Sequence, residues 1–273
     1  TAALDKMFDV LDTRPRMLDE PDARELPEVR GAVAFDHVRF AYGENAEVLH
    51  GISFSARPGQ TIALVGHTGA GKSTIVKLLA RFYDPTGGRI TIDGHDLRSV
   101  TMESLRRQIG MVPQEGFLFA RSVRDNIAFG RPDASDEQIV AAATAVGAHD
   151  FIVELPGGYD TPIEERGGRL SIGQRQLVAF ARALLADPRL LILDEATSSV
   201  DIPTEARIEQ ALETLLADRT AFVVAHRLST IRRADLIVVL EHGEVIESGT
   251  HDELIAARGR YFSLYDDWVD AVA

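Results

Sequence analysis

The 273-residue chain carries 29 basic and 42 acidic side chains, a formal net charge of −13 at pH 7 that argues against a non-specific nucleic-acid binder. Apolar residues make up 45% and charged residues 26%, proportions that exclude extended disorder and suit one large domain or two subdomains sharing a core. There is no cysteine, which excludes disulfide frameworks, thiolate zinc sites and thiol nucleophiles.

No apolar run approaches the ~18 residues needed to cross a bilayer, and no basic-plus-apolar leader opens the chain. Leu4, Met7, Phe8 and Leu11 recur at helical spacing within residues 1–13. The chain begins inside this pattern, so it reads as a piece of a longer polypeptide or as a processed chain. Residues 14–30 hold three prolines and many charges and read as a linker. Partial alternation from Val33 to Phe40 predicts a half-buried strand, followed by strands at Ile52–Phe54 and Thr61–Val65. Lys72–Tyr83 reads as a helix ended by Pro85 and Gly87-Gly88, with short strands at Arg89–Ile92 and Ile109–Val112.

The pattern turns helical from about Gly116 to Ala186. Ser135 reads as an N-cap, with Asp136 and Glu137 complementing the helix dipole, and Ser171–Ala186 as a second strong helix. Leu190–Leu193, Ala221–Val224 and Leu236–Leu240 are short, fully apolar strands, with a helix over Glu205–Leu216 between the first two and a final strand at Val245–Glu247. Apolar strands alternating with helices imply an α/β fold whose parallel sheet is covered on both faces.

Gly66-His67-Thr68-Gly69-Ala70-Gly71-Lys72-Ser73-Thr74 fits G-x-x-x-x-G-K-[ST], directly after an apolar strand and before a helix. Glycines let successive backbone N–H groups turn inward around an anion, and the helix N-terminus adds unpaired donors. Lys72 would reach the β- and γ-phosphates of a nucleotide, and the Ser73 hydroxyl would ligate Mg²⁺. Only three of the 29 basic residues are lysines, so a Lys at this position is informative. Downstream, the apolar strand Leu190–Leu193 ends in Asp194-Glu195, two acids at the edge where α/β sheets bind ligands. Asp194 suits the outer shell of Mg²⁺ through water, and Glu195 suits orienting or deprotonating an attacking water.

Together these segments resemble the nucleotide-binding domain of exporter-type ATP-binding-cassette (ABC) transporters, over about residues 30–260. Leu170-Ser171-Ile172-Gly173-Gln174-Arg175-Gln176, heading a helix, is similar to the family's signature. The resemblance implies that Ser171, Ile172, Gly173 and Gln174 face ATP held by the other subunit of a head-to-tail dimer. By itself a Ser-x-Gly at a helix start reads more often as a plain N-cap. Tyr42 resembles the aromatic that stacks on adenine, and Gln114 the glutamine that touches Mg²⁺ and senses the membrane domain. Ser199 and Asp201 resemble the loop that crosses the dimer interface, and His226 the switch histidine on the γ-phosphate. Glu164-Glu165-Arg166-Gly167 resembles the stretch that exporters set against intracellular loops.

The resemblance implies a P-loop NTPase (RecA-like) core with a mainly parallel sheet, an N-terminal antiparallel β subdomain and an α-helical subdomain inserted at about 116–186. It divides the chain into a helix and linker from a preceding transmembrane domain (1–30), the nucleotide-binding domain (31–260) and a C-terminal helix or tail (261–273). The implied activity is ATP hydrolysis driving export, with ATP and Mg²⁺ as cofactors, at the cytoplasmic face of the cell membrane. The implied partners are a second nucleotide-binding domain and a transmembrane domain fused N-terminally, with no nucleic acid. Ile172 stands where the family usually has glycine, which leaves homodimer and heterodimer both open. A soluble ABC ATPase and a regulatory cassette with little hydrolysis are the competing functions. Phe117-Leu118-Phe119 reads equally as an apolar groove for the membrane domain or as core. The C-terminal Tyr261–Val269 stretch, with the only tryptophan, reads as an amphipathic helix against its own domain or a sister subunit.

Overall fold

The computed structural model describes residues 17–113, 116–163, 170–194, 202–225 and 227–272. In chain order its strands are β1 (Val33–Ala41), β2 (Glu47–Ala56), β3 (Thr61–Val65), β4 (Gly87–Ile92), β5 (His95–Asp96), β6 (Ile109–Val112), β7 (Leu190–Asp194), β8 (Thr220–Val224), β9 (Leu236–Glu241) and β10 (Glu244–Gly249). The helices are α1 (Lys72–Leu79), α2 (Met102–Arg107), α3 (Val123–Ile127), α4 (Asp136–Ala145), α5 (His149–Glu154), α6 (Ile172–Ala186), α7 (Ile202–Leu216), α8 (Leu228–Arg233), α9 (His251–Ala257) and α10 (Arg260–Val272).

Side chains on a strand alternate between faces, so an apolar run buried on both sides must split between two cores. That split is visible along β3: Ala63 and Val65 enter one cluster, Ile62 and Leu64 the other. The strands order as β10-β9-β3-β8-β7-β6, with only the β9–β10 pair antiparallel. One face packs against α6, α7 and the helices of the 123–186 region, through Leu177, Phe180, Ile208 and Leu212 among others. The other face takes α1, through Ile75, Leu78 and Leu79, and a four-stranded antiparallel sheet of order β2-β1-β4-β5. The mixed α/β architecture expected from the sequence is therefore present, with its antiparallel sheet, its mainly parallel sheet and its block of helices. Because β8 lies between β3 and β7, the phosphate-loop strand and the strand ending in Asp194 are not neighbours.

Several boundaries differ from the sequence expectation for identifiable reasons. Helix α1 stops at Leu79 rather than Tyr83. Arg81 adopts φ 50°, and the bonds Arg81 N–H to Leu78 O (3.0 Å) and Phe82 N–H to Lys77 O (2.9 Å) close a Schellman turn. Strand β2 runs from Glu47 to Ala56, longer than Ile52–Phe54, because pairing with β1 continues from Val33–Ala56 to Ala41–Glu47. Helices α2, α8 and α9 carry six or seven residues each, too few for a periodic pattern to stand out. For α9 a signal existed: Thr250 and Glu253 form a capping box.

The proline- and charge-rich stretch before β1 lies packed along the domain. Leu26 and Val29 are 5% and 4% exposed. Their backbone N–H groups donate to Ser104 Oγ and Gln108 Oε1, both at 2.8 Å. The Asp93 carboxylate accepts from Arg30 N (2.5 Å) and Ala32 N (2.7 Å). At the other end, α10 packs on its own domain, with Tyr261 and Leu264 buried in the larger core cluster and Trp268 against it. Tyr261 hydrogen-bonds His251 Nδ1 at 2.8 Å, and its burial pushes its phenol well above the usual tyrosine range.

Arg81 joins the packed stretch before β1, an N-terminal strap over residues 17–32, to α1. Its side chain is 1% exposed and donates to Val100 O and to Arg98 O (3.4 Å), with Asp84 at 3.2 Å and Asp19 of the strap at 3.4 Å. A buried guanidinium with this many acceptors leaves them unpaired when it is removed. Arg81→Met is expected to lower stability by about 1–3 kcal/mol in urea unfolding. No change in the unfolding midpoint would show that these contacts are replaced by water at no cost.

Candidate functional site

The phosphate loop is shaped by three glycines with positive φ: Gly66 (146°), Gly69 (84°) and Gly71 (107°). Two of them also require the missing side chain for space. A Cβ on Gly66 would lie 2.2 Å from Leu240 O, and one on Gly71 would lie 2.7 Å from Leu49 Cδ2, whereas Gly69 faces open space. The loop is thus tight at its back and open at its front. Gly71 is the N-cap of α1, and no side chain of the described residues bonds to this helix start. The backbone N–H groups and the positive end of the dipole are left for an anion.

A turn from a distant part of the chain braces the loop. Gly243 N donates to Ala70 O (3.2 Å), His50 N donates to Gly243 O (2.9 Å), and His50 Nδ1 bonds His242 O (2.8 Å). The loop is therefore fastened to the β9–β10 turn and, through it, to β2.

Lys72 lies inside the loop, 8% exposed, donating to Gly66 O (2.5 Å) and His67 O (3.0 Å). Burial lowers its pKa from the ordinary lysine value, and the charge of Asp194 works against that shift. A cleft of about 250 Å³ is lined by Lys72, Ser73, Thr74, Asp194, Val224 and the loop glycines Gly69 and Gly71. Asp194 is the last residue of β7 and reaches this cleft past the end of β8. Hydroxyl and carboxylate oxygens lining one cleft are the hard donors that Mg²⁺ takes, together with phosphate and water. The residues present therefore fit a nucleotide with its divalent cation.

Tyr42 is brought to the flank of α1. Its hydroxyl is 3.1 Å from Thr74 Oγ1, and its ring meets Phe40 and Tyr83 edge-on at 4.7 and 5.2 Å. Lys77 Nζ lies 5.7 Å from the ring centroid. The ring thus stands beside the phosphate loop, next to the last residue of the motif. His67, Thr68 and Gly69 are exposed along the loop, and Ala70 is buried.

Ser171 caps α6 in a full capping box: its Oγ accepts from Gln174 N (3.2 Å) while Gln174 Oε1 accepts from Ser171 N (2.9 Å). The helix therefore begins at Ile172, one residue later than expected, and the plain N-cap reading of Ser171 is present in the geometry. A hydroxyl that accepts still has its own proton to donate, so capping and anion contact are compatible. Ile172 is 47% exposed, whereas Gly173 is buried. Gln114, Glu195, Ser199, Asp201, His226, the Glu164–Gly167 stretch and residues 1–13 lie outside the described residues.

The Phe117-Leu118-Phe119 segment divides between the two readings. Leu118 is core at 1% exposure, whereas Phe117 is 53% exposed. Phe119 stacks on Phe129 at 4.2 Å, and Phe129 is itself 50% exposed. Arg182 from α6 lies over both rings, at 5.5 and 5.9 Å, and donates to Asn126 O and Phe117 O. Its burial pushes its pKa down to about 10. Neither Phe129 nor Arg182 stands out in the sequence, because nothing local marks an aromatic whose partner is 53 residues away.

The family model described as ABC transporter matches residues 49–198, more than half of the chain. The chain belongs to the ABC transporter family. An uncharacterized ABC transporter ATP-binding protein of Bacillus subtilis, YknV, is 52% identical over 263 residues, covering 96% of this chain and 44% of that protein. The ATP-dependent lipid A-core flippase of Syntrophus aciditrophicus is 49% identical over 264 residues, covering 97% of this chain and 44% of the flippase. A bacterial Atm1-family ABC exporter with ATP bound superposes with a TM-score of 0.89 at 44% identity, over 100% of this chain and 47% of that one. The chain thus spans less than half the length of these ABC relatives. It corresponds to their nucleotide-binding domain, in a family of ATPases. No helix among the described residues is long and apolar enough to cross a membrane.

Lys72→Ala is expected to weaken nucleotide binding by about tenfold or more, the range of a lost charge-assisted hydrogen bond, in equilibrium titration with MgATP. Unchanged affinity would remove Lys72 from the site.

Proposed function

We propose that this chain is the ATP-binding and ATP-hydrolysing motor domain of an ABC exporter, working in a head-to-tail dimer with a second such domain. The observation that carries this reading is the single cleft shared by Lys72, Ser73, Thr74 and Asp194, with the Asp194 charge acting on Lys72. In this proposal residues 1–30 connect to a preceding transmembrane domain, residues 31–260 form the motor and residues 261–273 the C-terminal helix. The motor sits at the cytoplasmic face of the membrane.

The chemistry divides among this chain's residues as follows. Backbone N–H groups from Gly66 to Ser73 and the Lys72 ammonium hold the β- and γ-phosphates. Ser73, Gln114 and, through water, Asp194 hold Mg²⁺, which when bound neutralises charge developing on the phosphate oxygens. Glu195 orients and deprotonates the attacking water, and His226 hydrogen-bonds the γ-phosphate. The Tyr42 ring stacks on adenine. Ser171, Ile172, Gly173 and Gln174 close on the triphosphate held by the facing subunit, with Ser199 and Asp201 crossing between the two. Closure then depends on contacts that exist only while the γ-phosphate is present, the differential interaction a two-state switch requires.

The exposed faces of Phe117 and Phe129, backed by Arg182, are the surface we assign to loops of the membrane domain. The flippase and exporter relatives support export as the direction of transport. The transported substrate is chosen outside this chain.

Glu195→Gln is expected to abolish most turnover and to trap ATP-bound dimers, seen as a doubling of mass in light scattering with MgATP. Full hydrolysis by that variant would remove Glu195 from its role. Because each site needs two chains, turnover per chain should rise with protein concentration, and strict proportionality down to nanomolar protein would argue against shared sites. Tyr42→Ala should weaken ATP binding by about 1–3 kcal/mol, the worth of one base stacked on an aromatic ring.

A further inference from the structure

The phosphate loop is touched from outside by the last helix. At the head of α10, Arg260 Nη2 lies 3.0 Å from His67 Nε2 and 2.9 Å from Glu241 Oε1. His67 is the second residue of the phosphate motif, and its carbonyl oxygen is one of the two that hold Lys72. Glu241 ends β9, the strand that pairs with β3 beneath the loop and whose Leu240 carbonyl backs Gly66. Arg260 therefore ties the loop to the sheet edge behind it. A guanidinium has only donors, so the contact to the ring uses the lone pair on His67 Nε2.

The anchor of Arg260 is itself fixed. Glu247 of β10 accepts from Arg260 N (2.5 Å) and Tyr261 N (2.9 Å), so one carboxylate clasps the first turn of α10. Gly259 leaves room for that clasp, since a Cβ there would lie 2.0 Å from Glu247 Oε1. Tyr261, the next residue, is fully buried. The side chain of Arg260 thus projects from a rigid point toward a loop whose front is open.

We propose that Arg260 is a positioning residue of the nucleotide site: through His67 it holds the Gly66–Gly69 segment in the shape that receives the triphosphate, so that docking of α10 sets nucleotide affinity. This rests on the ATP-site reading above and extends it to a part of the chain more than 180 residues from the motif. The C-terminal helix is then an input to the site, and anything that lifts α10 from the domain weakens ATP binding without touching the loop.

The test is a double-mutant cycle in the 273-residue chain, with MgATP affinity measured by calorimetry. Trp268, the only tryptophan, lies on α10 and reports its docking by its emission. Arg260→Ala and His67→Ala should each weaken binding roughly three- to tenfold, the range of one typical net hydrogen bond. The double variant should be no worse than the weaker single, because the two side chains act as one contact. Arg260→Lys should recover part of the affinity. Losses that multiply in the double variant would overturn the proposal, as would an Arg260→Ala affinity within about twofold of the parent. Should Arg260→Ala shift Trp268 emission, His67→Ala with α10 docked decides: weakened binding supports the proposal, and parent affinity overturns it. Lys72→Ala serves as the reference. Loss of binding there with none in Arg260→Ala sinks only this inference, whereas parent affinity in Lys72→Ala sinks the ATP-site reading itself.

Discussion

The ammonium of Lys72, a residue only 8% exposed, makes the interaction on which the rest of this domain turns. Burying such a charge is costly unless partners surround it. Here the partners are two carbonyls of its own loop, Gly66 and His67, and the more distant charge of Asp194. The loop carbonyls can point inward only because Gly66, Gly69 and Gly71 take left-handed backbone angles. Asp194 can contribute only because β7 delivers it to the same sheet edge. The charge that would grip a phosphate is thus prepared by the backbone and by one distant carboxylate.

What keeps that arrangement rigid lies behind the loop. Leu240 fills the space a side chain on Gly66 would need, Leu49 does the same for Gly71, and the Gly243 amide bonds Ala70. These contacts come from β9, β2 and the β9–β10 turn. They make the phosphate loop a junction between the parallel sheet and the antiparallel sheet, and Arg260 extends the junction to the C-terminal helix. On the far side of α1, Arg81 fastens the helix end to the 98–100 backbone and to Asp19 of the N-terminal strap. The helix that starts at the phosphate loop is therefore anchored at both ends, to segments that lie near the two ends of the chain.

Local chemistry made much of this readable in advance. The phosphate motif, the apolar strand before it, Asp194 at the end of the apolar Leu190–Leu193 strand and the capped helix after Ser171 each follow from a spacing of a few residues. Where the sequence misled, a longer-range requirement had intervened. Lys72–Tyr83 carries no helix breaker before Pro85, yet α1 ends at Leu79, because Arg81 must turn back to bury its guanidinium against Val100. Residues 14–30 read as a linker by composition, yet the N–H groups of Leu26, Val29 and Arg30 find Ser104, Gln108 and Asp93, up to 79 positions away. Phe117-Leu118-Phe119 could not be assigned from its own letters, since Leu118 enters the core, Phe119 meets Phe129 and Arg182, and Phe117 stays half exposed.

The sequence by itself determined the elements whose cause is local: strands that must be buried on both faces, a glycine-rich turn able to wrap an anion, and helix starts marked by Ser135 and Ser171. Hydrophobic period, glycine backbone freedom and side-chain capping act over one or two turns of chain, so they survive being read as a string. Only the tertiary structure decided that β8 stands between β3 and β7, that Tyr42 leans on Thr74, and that His67 meets Arg260. Those pairings join residues from 32 to 193 positions apart, and no spacing along the chain encodes which pairs meet. They are chosen when two sheets and their helices pack together, because only then does each buried charge and open amide find what satisfies it.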